Sequence, residues 1–354
     1  MKSLVLRTLL RRGLQSTPLV GVAGFLLGVR ARERQISFRG RVVVIMGGSR
    51  GLGLILARQF ASEGARLALC SRNADELNRA RYELESRGAD VLVQTCDVAK
   101  KNEVQDFMDR VVSTFGRIDV LINNASIIQV GPAAEMNEFD IREAMDVNFW
   151  GGVHATYAAL PQMVKQRGGR IVNVTSIGGV VAVPHLLPYS SAKFAAVGFS
   201  QGLRSEVSQY GIMVTTVIPG LMRTGSFLNA LFKGKASSEA GWFSVSASLP
   251  VLSMNANRAA RKIVEAARHG QAVVTLGMPA IIARYVSAIL PGFTAEALSY
   301  VNRILPSTVS SKERFFRSRQ KPEPGYLHQK RTIARSGILK LGEKAAERNN
   351  EKTG

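Results

Sequence analysis

Along the middle of the chain, short runs of β-branched and aliphatic residues alternate with stretches whose apolar positions return every three to four residues. Segments 41–46, 66–70, 91–95, 118–122, 170–174, 213–218 and 272–276 are of the first kind and predict strands. They show little apolar/polar alternation, as in strands covered on both faces. Segments 52–61, 74–87 and 101–114 carry helical spacing. Repeated strand–helix units imply right-handed crossovers, so the pattern predicts an α/β fold with a doubly wound parallel sheet. Ligands of such a sheet bind beyond the carboxyl ends of its strands.

A single core over 40–277 accounts for this pattern. Around it lie a basic and apolar leader, 1–39, an apolar amphipathic extension, 278–310, and a basic tail, 311–354. Segments 279–290 and 294–305 of the extension are separated by Pro291-Gly292. The tail is polar and carries Pro322 and Pro324, a composition that predicts mobility.

The first strand runs directly into Gly47-Gly48-Ser49-Arg50-Gly51-Leu52-Gly53 and then a helix. Strand, glycine turn and helix N-terminus together make a pyrophosphate site, with backbone N–H groups and the helix dipole facing the anion. Gly47 suits the tight turn, Gly51 the close backbone approach and Gly53 the helix packing. The spacing is G-x-x-x-G-x-G, which is not the general dinucleotide fingerprint. The second strand ends at Ser71-Arg72-Asn73, with no acid there to hydrogen-bond a ribose 2′-hydroxyl. Arg72, with Arg50, is suited to a 2′-phosphate, which favours NADP(H) over NAD(H).

Tyr189 and Lys193 stand four apart in Tyr189-Ser190-Ser191-Ala192-Lys193. On a helix they share a face, where the ammonium would lower the phenol pKa and make the tyrosine a general acid/base. With Ser176 upstream and the glycine loop, this chain resembles the short-chain dehydrogenases/reductases over roughly residues 40 to 277. Met46 stands where threonine is usual in the cofactor loop. Asp97-Val98 resembles the adenine-contacting pair. Asn123-Asn124-Ala125-Ser126 resembles the family's Asn-Asn-Ala-Gly element, with Ser126 in place of glycine. Pro219-Gly220 and Thr224 match the element that holds the nicotinamide carboxamide.

The resemblance implies a Rossmann-type sheet, carbonyl–alcohol interconversion by hydride transfer, and a homo-oligomer. It assigns Ser176, Tyr189, Lys193 and Asn148 to catalysis. Tyr189 would exchange the proton, Ser176 would polarise the carbonyl oxygen, and Lys193 would tune Tyr189 and bind the nicotinamide ribose. Asn148 would hold a relay water. The cofactor would rest on Gly47, Ser49, Arg50, Gly51, Leu52, Gly53, Arg72, Asp97, Val98, Asn124, Tyr189, Lys193, Pro219 and Thr224.

Net charge is +21. Nine Lys/Arg against one acid fall in the first 41 residues, and twelve against five in 312–354, so most of the excess lies outside the core. This argues against a specific nucleic-acid face on the enzyme, though basic tails bind RNA non-specifically. Segment 13–29 is apolar and uncharged, at the short end for a bilayer span, and interrupted by Gln15 and Pro18. Three readings stand: a membrane anchor, a mitochondrial targeting segment, or an arm that packs on a neighbouring subunit. The extension suits completing the substrate pocket, covering the sheet or docking on a membrane surface, and the basic tail suits anionic lipid headgroups or open solvent equally. Cys70 and Cys96, the only cysteines, fit no disulfide framework or metal spacing and read as buried thiols.

Phe227, Leu228, Leu231, Phe232, Trp242 and Phe243 follow Thr224, where the family places a mobile lid. That apolar surface suits a lipophilic carbonyl or alcohol, or else packs the lid against the core. His185 lies between Ser176 and Tyr189 as a cleft or loop residue. The expectation is an NADP(H)-dependent reductase of a lipophilic substrate; a non-catalytic NADPH-binding regulator on the same fold is the alternative.

Overall fold

The computed structural model describes residues 35–306, 322–328 and 339–351. Seven parallel strands form the central sheet: β1 (Val42–Met46), β2 (Arg66–Ser71), β3 (Val91–Thr95), β4 (Val120–Asn123), β5 (Gly169–Val174), β6 (Ile212–Pro219) and β7 (Val273–Leu276). Their order is β7-β6-β5-β4-β1-β2-β3, so the chain reverses direction across the sheet between β1 and β4. All seven expected strands and the three expected helices are present, with ends shifted by up to two residues.

The strands alternate which layer they feed. Val43, Ile45, Leu67, Leu69, Ile122 and Val217 pack against helices α1 (Gly51–Ser62) and α2 (Ala74–Glu85) and the later helix Ala256–His269. Val42, Val44, Met46, Ala68, Leu121 and Val214 face α3 (Lys101–Phe115) and the helices that follow on that side. Both faces are buried, which is why the sequence showed no alternation.

On the second face, α4 (Glu138–Met145) passes through a π-helical turn, Asp146–Trp150, into α5 (Gly151–Lys165). The long helix α6 (Leu187–Val207) follows β5. Past β6 the chain forms the lid, whose main element is α7 (Ala236–Ser248); α8 (Ala256–His269) and β7 complete the core.

Two further helices extend the core, α9 (Met278–Ile289) and α10 (Pro291–Ile304). Pro291 opens α10 at its first turn, where its missing N–H costs no helical hydrogen bond. Ala280 meets Gly220, but Ile282, Tyr285, Ile289, Phe293, Tyr300 and Ile304 are exposed. Among the described residues no helix is long and apolar enough to cross a membrane; segment 13–29 lies outside them.

Two pieces of the 311–354 tail lie against the lid. Glu323–Pro324 pairs with Leu231–Phe232 in the lid, and helix α11 (Leu339–Arg348) docks on it. Small residues, Gly342 and Ala346, let that helix approach closely, a feature hidden in a composition that reads as solvated.

Candidate active site

The glycine loop is built for close approach. Gly47 and Gly51 have φ of +80° and +54°, the left-handed region where a side chain is strained. A Cβ on Gly53 would stand 1.9 Å from Gly47 O, so α1 can start only with glycine there. Asn124 donates to Gly47 O (2.8 Å) and braces the turn from behind. Leu52 is buried beneath the loop.

Helix α1 has no acid in its first turn, which leaves its positive end available to an anion. The group there is the chain's own: the Glu351 carboxyl is paired with Arg50 Nε at 3.5 Å, and a Cβ on Gly51 would lie 2.4 Å from its Oε1. The loop therefore fits a phosphate-bearing dinucleotide in both shape and charge.

Ser49 and Arg50 have a partner that sequence reading missed. Glu76, buried in the first turn of α2, accepts from Ser49 Oγ (3.0 Å) and Arg50 Nη1 (2.9 Å). The local signal is Asn73-x-x-Glu76, a helix start in which Asn73 caps the Glu76 N–H. Arg72 is exposed, with no hydrogen bond or ion pair among the described residues. Asp97 accepts from the Ala99 N–H, and buried Val98 packs on Gly151. Pro219 ends β6, and buried Thr224 starts the lid.

At the carboxyl end of β5, Ser176 is extended and its Oγ accepts from Gly178 N–H (3.0 Å). That bond leaves the hydroxyl hydrogen free to donate. The Tyr189 ring and Ser176 Oγ converge over Gly178, where a Cβ would lie 3.2 Å and 3.4 Å from them. Burial raises the Tyr189 pKa, and the hydrogen bond with Ser176 opposes the rise. Lys193 is buried one turn further along α6; its Nζ donates to Val174 O (3.2 Å) and lies 5.7 Å from the Tyr189 ring centroid.

Desolvation pushes Lys193 down to about 8. The expected lowering of Tyr189 by Lys193 is therefore not what these groups show: burial acts on both, and the ammonium is turned to a backbone carbonyl.

Asn148 sits in the π-helical turn, a wide turn frequently found at functional sites. Its amide is held at both ends by Ile127, and Oδ1 also accepts from Ser126 Oγ (2.6 Å). Asn148 and Lys193 both line a cavity of about 20 Å³, with Asn123 and Asn173. One water needs about 10–15 Å³.

The lid closes the other side. Phe227, Leu228, Phe232 and Phe243 are buried in a core of its own, so most of the apolar lid packs on itself. Leu231 and Trp242 remain partly exposed. His185, at φ +63°, points its Nδ1 at both oxygens of buried Glu239 (2.9 and 3.0 Å), which also accepts from Trp242 Nε1 (2.7 Å). His185 is thus a tether from the active-site loop to α7. Cys70 and Cys96 are buried and free, and no cluster of metal-ligating residues occurs among the described residues.

A doubly wound sheet, an anion-seating glycine turn and a Ser–Tyr–Lys constellation at the strand ends define an oxidoreductase of carbonyl and alcohol groups. Comparison with known proteins gives the family. The short chain dehydrogenase profile matches residues 41–231. SadH of Mycobacterium tuberculosis, an oxidoreductase by name, is 36% identical over 248 residues, covering 69% of this chain and 88% of SadH. Dehydrogenase/reductase SDR family member 7B of Bos taurus is 38% identical over 199 residues, 54% of this chain and 61% of that one. Among solved structures, actinorhodin polyketide ketoreductase with NADPH is 28% identical with a TM-score of 0.59, covering 68% of this chain and 95% of its own. The chain belongs to the short-chain dehydrogenase/reductase family.

Proposed function

We propose that this protein is an NADP(H)-dependent reductase of a lipophilic ketone or aldehyde, working at a membrane surface. The observation that carries the reading is the convergence of Ser176 and Tyr189 over Gly178, with Lys193 buried behind them. When bound, the nicotinamide dinucleotide supplies the hydride. Gly47, Ser49, Gly51, Leu52 and Gly53 would seat its pyrophosphate, with Pro219 and Thr224 at the carboxamide end and Asp97 and Val98 near the adenine.

Tyr189 Oη gives its proton to the carbonyl oxygen, and Ser176 Oγ donates a second hydrogen bond to the same oxygen. The Lys193 ammonium, with a pKa near 8, is poised to return a proton at working pH. A water in the cavity beside Asn148 would link Lys193 to solvent.

The preference for NADP(H) is supported by Arg72, exposed just past the end of β2 with its guanidinium uncommitted among the described residues, while Glu76 is turned onto Ser49 and Arg50. A lipophilic substrate is supported by the surroundings of Tyr189, which packs with Ile128, Val183 and Trp242 on the lid cluster. The exposed apolar residues of α9 and α10 support contact with lipid, and Tyr157 and Phe194, exposed on α5 and α6, support a homo-oligomer through those helices.

NADPH absorbance, followed with detergent-solubilised full-length protein against lipophilic ketones and aldehydes, tests the reading. Consumption with apolar carbonyls is expected. Arg72→Ala should raise the KM for NADPH about tenfold or more and leave that for NADH unchanged, since charge-assisted hydrogen bonds contribute roughly 1.5–3 kcal/mol. Tight NADPH binding with no turnover on any carbonyl would favour a non-catalytic dinucleotide-binding regulator.

A further inference from the structure

The C-terminal helix delivers three residues into the cofactor site. Ala346 is fully buried among Phe227 and Phe243 of the lid, so close to Gly225 that a Cβ there would lie 2.4 Å from Ala346 Cα. A Cβ on Gly342 would come within 2.9 Å of the Phe227 ring. Held by these contacts, the residues after α11 meet the glycine loop.

Asn349 O accepts the Gly51 N–H (2.8 Å), and Asn349 Nδ2 donates to Thr224 O (3.2 Å). Asn350 Nδ2 donates to the carbonyls of Ser49 (2.9 Å) and Glu76 (3.1 Å), and its Oδ1 accepts from Arg79 Nε (2.8 Å). Glu351 is buried, accepts from Asn229 Nδ2 (2.6 Å) and pairs with Arg50.

These contacts use the groups a pyrophosphate would need. The Gly51 amide is satisfied by a tail carbonyl. A carboxyl lies over Gly51 Cα at the positive end of α1, where a phosphate would lie. The Glu351 carboxyl and a phosphate cannot both lie within 2.4 Å of the same missing Cβ.

We propose that residues 339–351 form an intrasteric latch that competes with the nicotinamide dinucleotide for the glycine loop, the Glu351 carboxyl filling the phosphate position. The inference rests on the dinucleotide reading given above. Because latch and loop are one chain, docking is intramolecular and lowers apparent cofactor affinity by the fraction of molecules left undocked.

Acidity strengthens the latch. Burial pushes the Glu351 carboxyl up to about 7; Arg50 and Asn229 oppose this, and Glu76 adds to it. The docked form therefore holds a proton that a free carboxylate, with pKa about 4.3, would release. The contribution to docking is complete below the free value and is lost as pH rises through about 7.

The test titrates full-length protein with NADPH and with NADH, beside Gly342→Val and Ala346→Glu, which block α11 from the lid without touching the loop. Both variants should bind dinucleotide about tenfold or more tightly. Native affinity should rise between pH 5 and 7.5 more steeply than that of Glu351→Gln. Hydrogen exchange on the native chain needs no variant: amides of 339–351 should be protected in the free protein and lose protection on saturation with NADPH. Equal or weaker binding by well-folded variants would overturn the latch, as would a gain of protection, which describes a lid closing over the cofactor. If native and variant proteins bind neither dinucleotide, the reading of the site itself fails.

Discussion

The Ser126 hydroxyl donates a 2.6 Å hydrogen bond to Asn148 Oδ1, joining a departure from the family pattern to a proposed relay position. Ser126 replaces the usual glycine, and its side chain adds a third bond to an amide already held twice by Ile127. A hydrogen bond of this kind contributes roughly 0.5–1.5 kcal/mol. Ser126→Ala should therefore lower kcat by about three- to tenfold with little change in KM, measured by steady-state kinetics. A change in KM alone would place Ser126 in substrate binding.

Glu239 ties the lid to the loop before Tyr189. Its buried carboxylate serves His185 and Trp242, and replacing it with alanine strands both partners. Leaving a buried polar group such as His185 Nδ1 unsatisfied costs about 1–3 kcal/mol. Glu239→Ala should lower the melting temperature by at least several degrees and raise the substrate KM, while cofactor affinity is unchanged. An unaltered melt and KM would remove the tether from the account.

Lys193 predicts an opposition between stability and activity. Its pKa falls from 10.5 to about 8 on folding, so between those values the unfolded chain holds more protons and stability rises with pH. Below pH 8 the buried charge costs up to about 3 kcal/mol, less whatever its bond to Val174 O returns. Lys193→Met should melt higher than native at pH 7, lose that advantage by about pH 10.5, and be inactive throughout. Thermal melts across this range check it; an advantage growing with pH contradicts it.

Local signals carried much of the fold into the sequence. Strands covered on both faces have to be aliphatic runs, so Val42–Met46 and its six partners were visible without tertiary knowledge. Glycines 47, 51 and 53 were legible because backbone geometry admits almost nothing else there. What stayed hidden depends on distance along the chain. Glu76 reaches Ser49 and Arg50 across 27 and 26 residues, and Asn350 reaches Ser49 across 301. The lid aromatics were legible as apolar but not as packed on one another, because composition does not say which apolar surface faces a ligand. The sense of the Lys193–Tyr189 coupling was also out of reach, since it depends on burial and on where Nζ turns.

The most direct measurement is Tyr189→Phe, which removes one oxygen from the site and leaves the ring. Turnover of any active carbonyl substrate and the dissociation constant for NADPH are read on the same preparation. A general acid in this position contributes about 10²–10⁴-fold. The kcat should fall by at least about a hundredfold while NADPH binds within a fewfold of native. Turnover that survives the substitution would contradict the assignment of Tyr189 as the proton donor, and with it the mechanism proposed for this site.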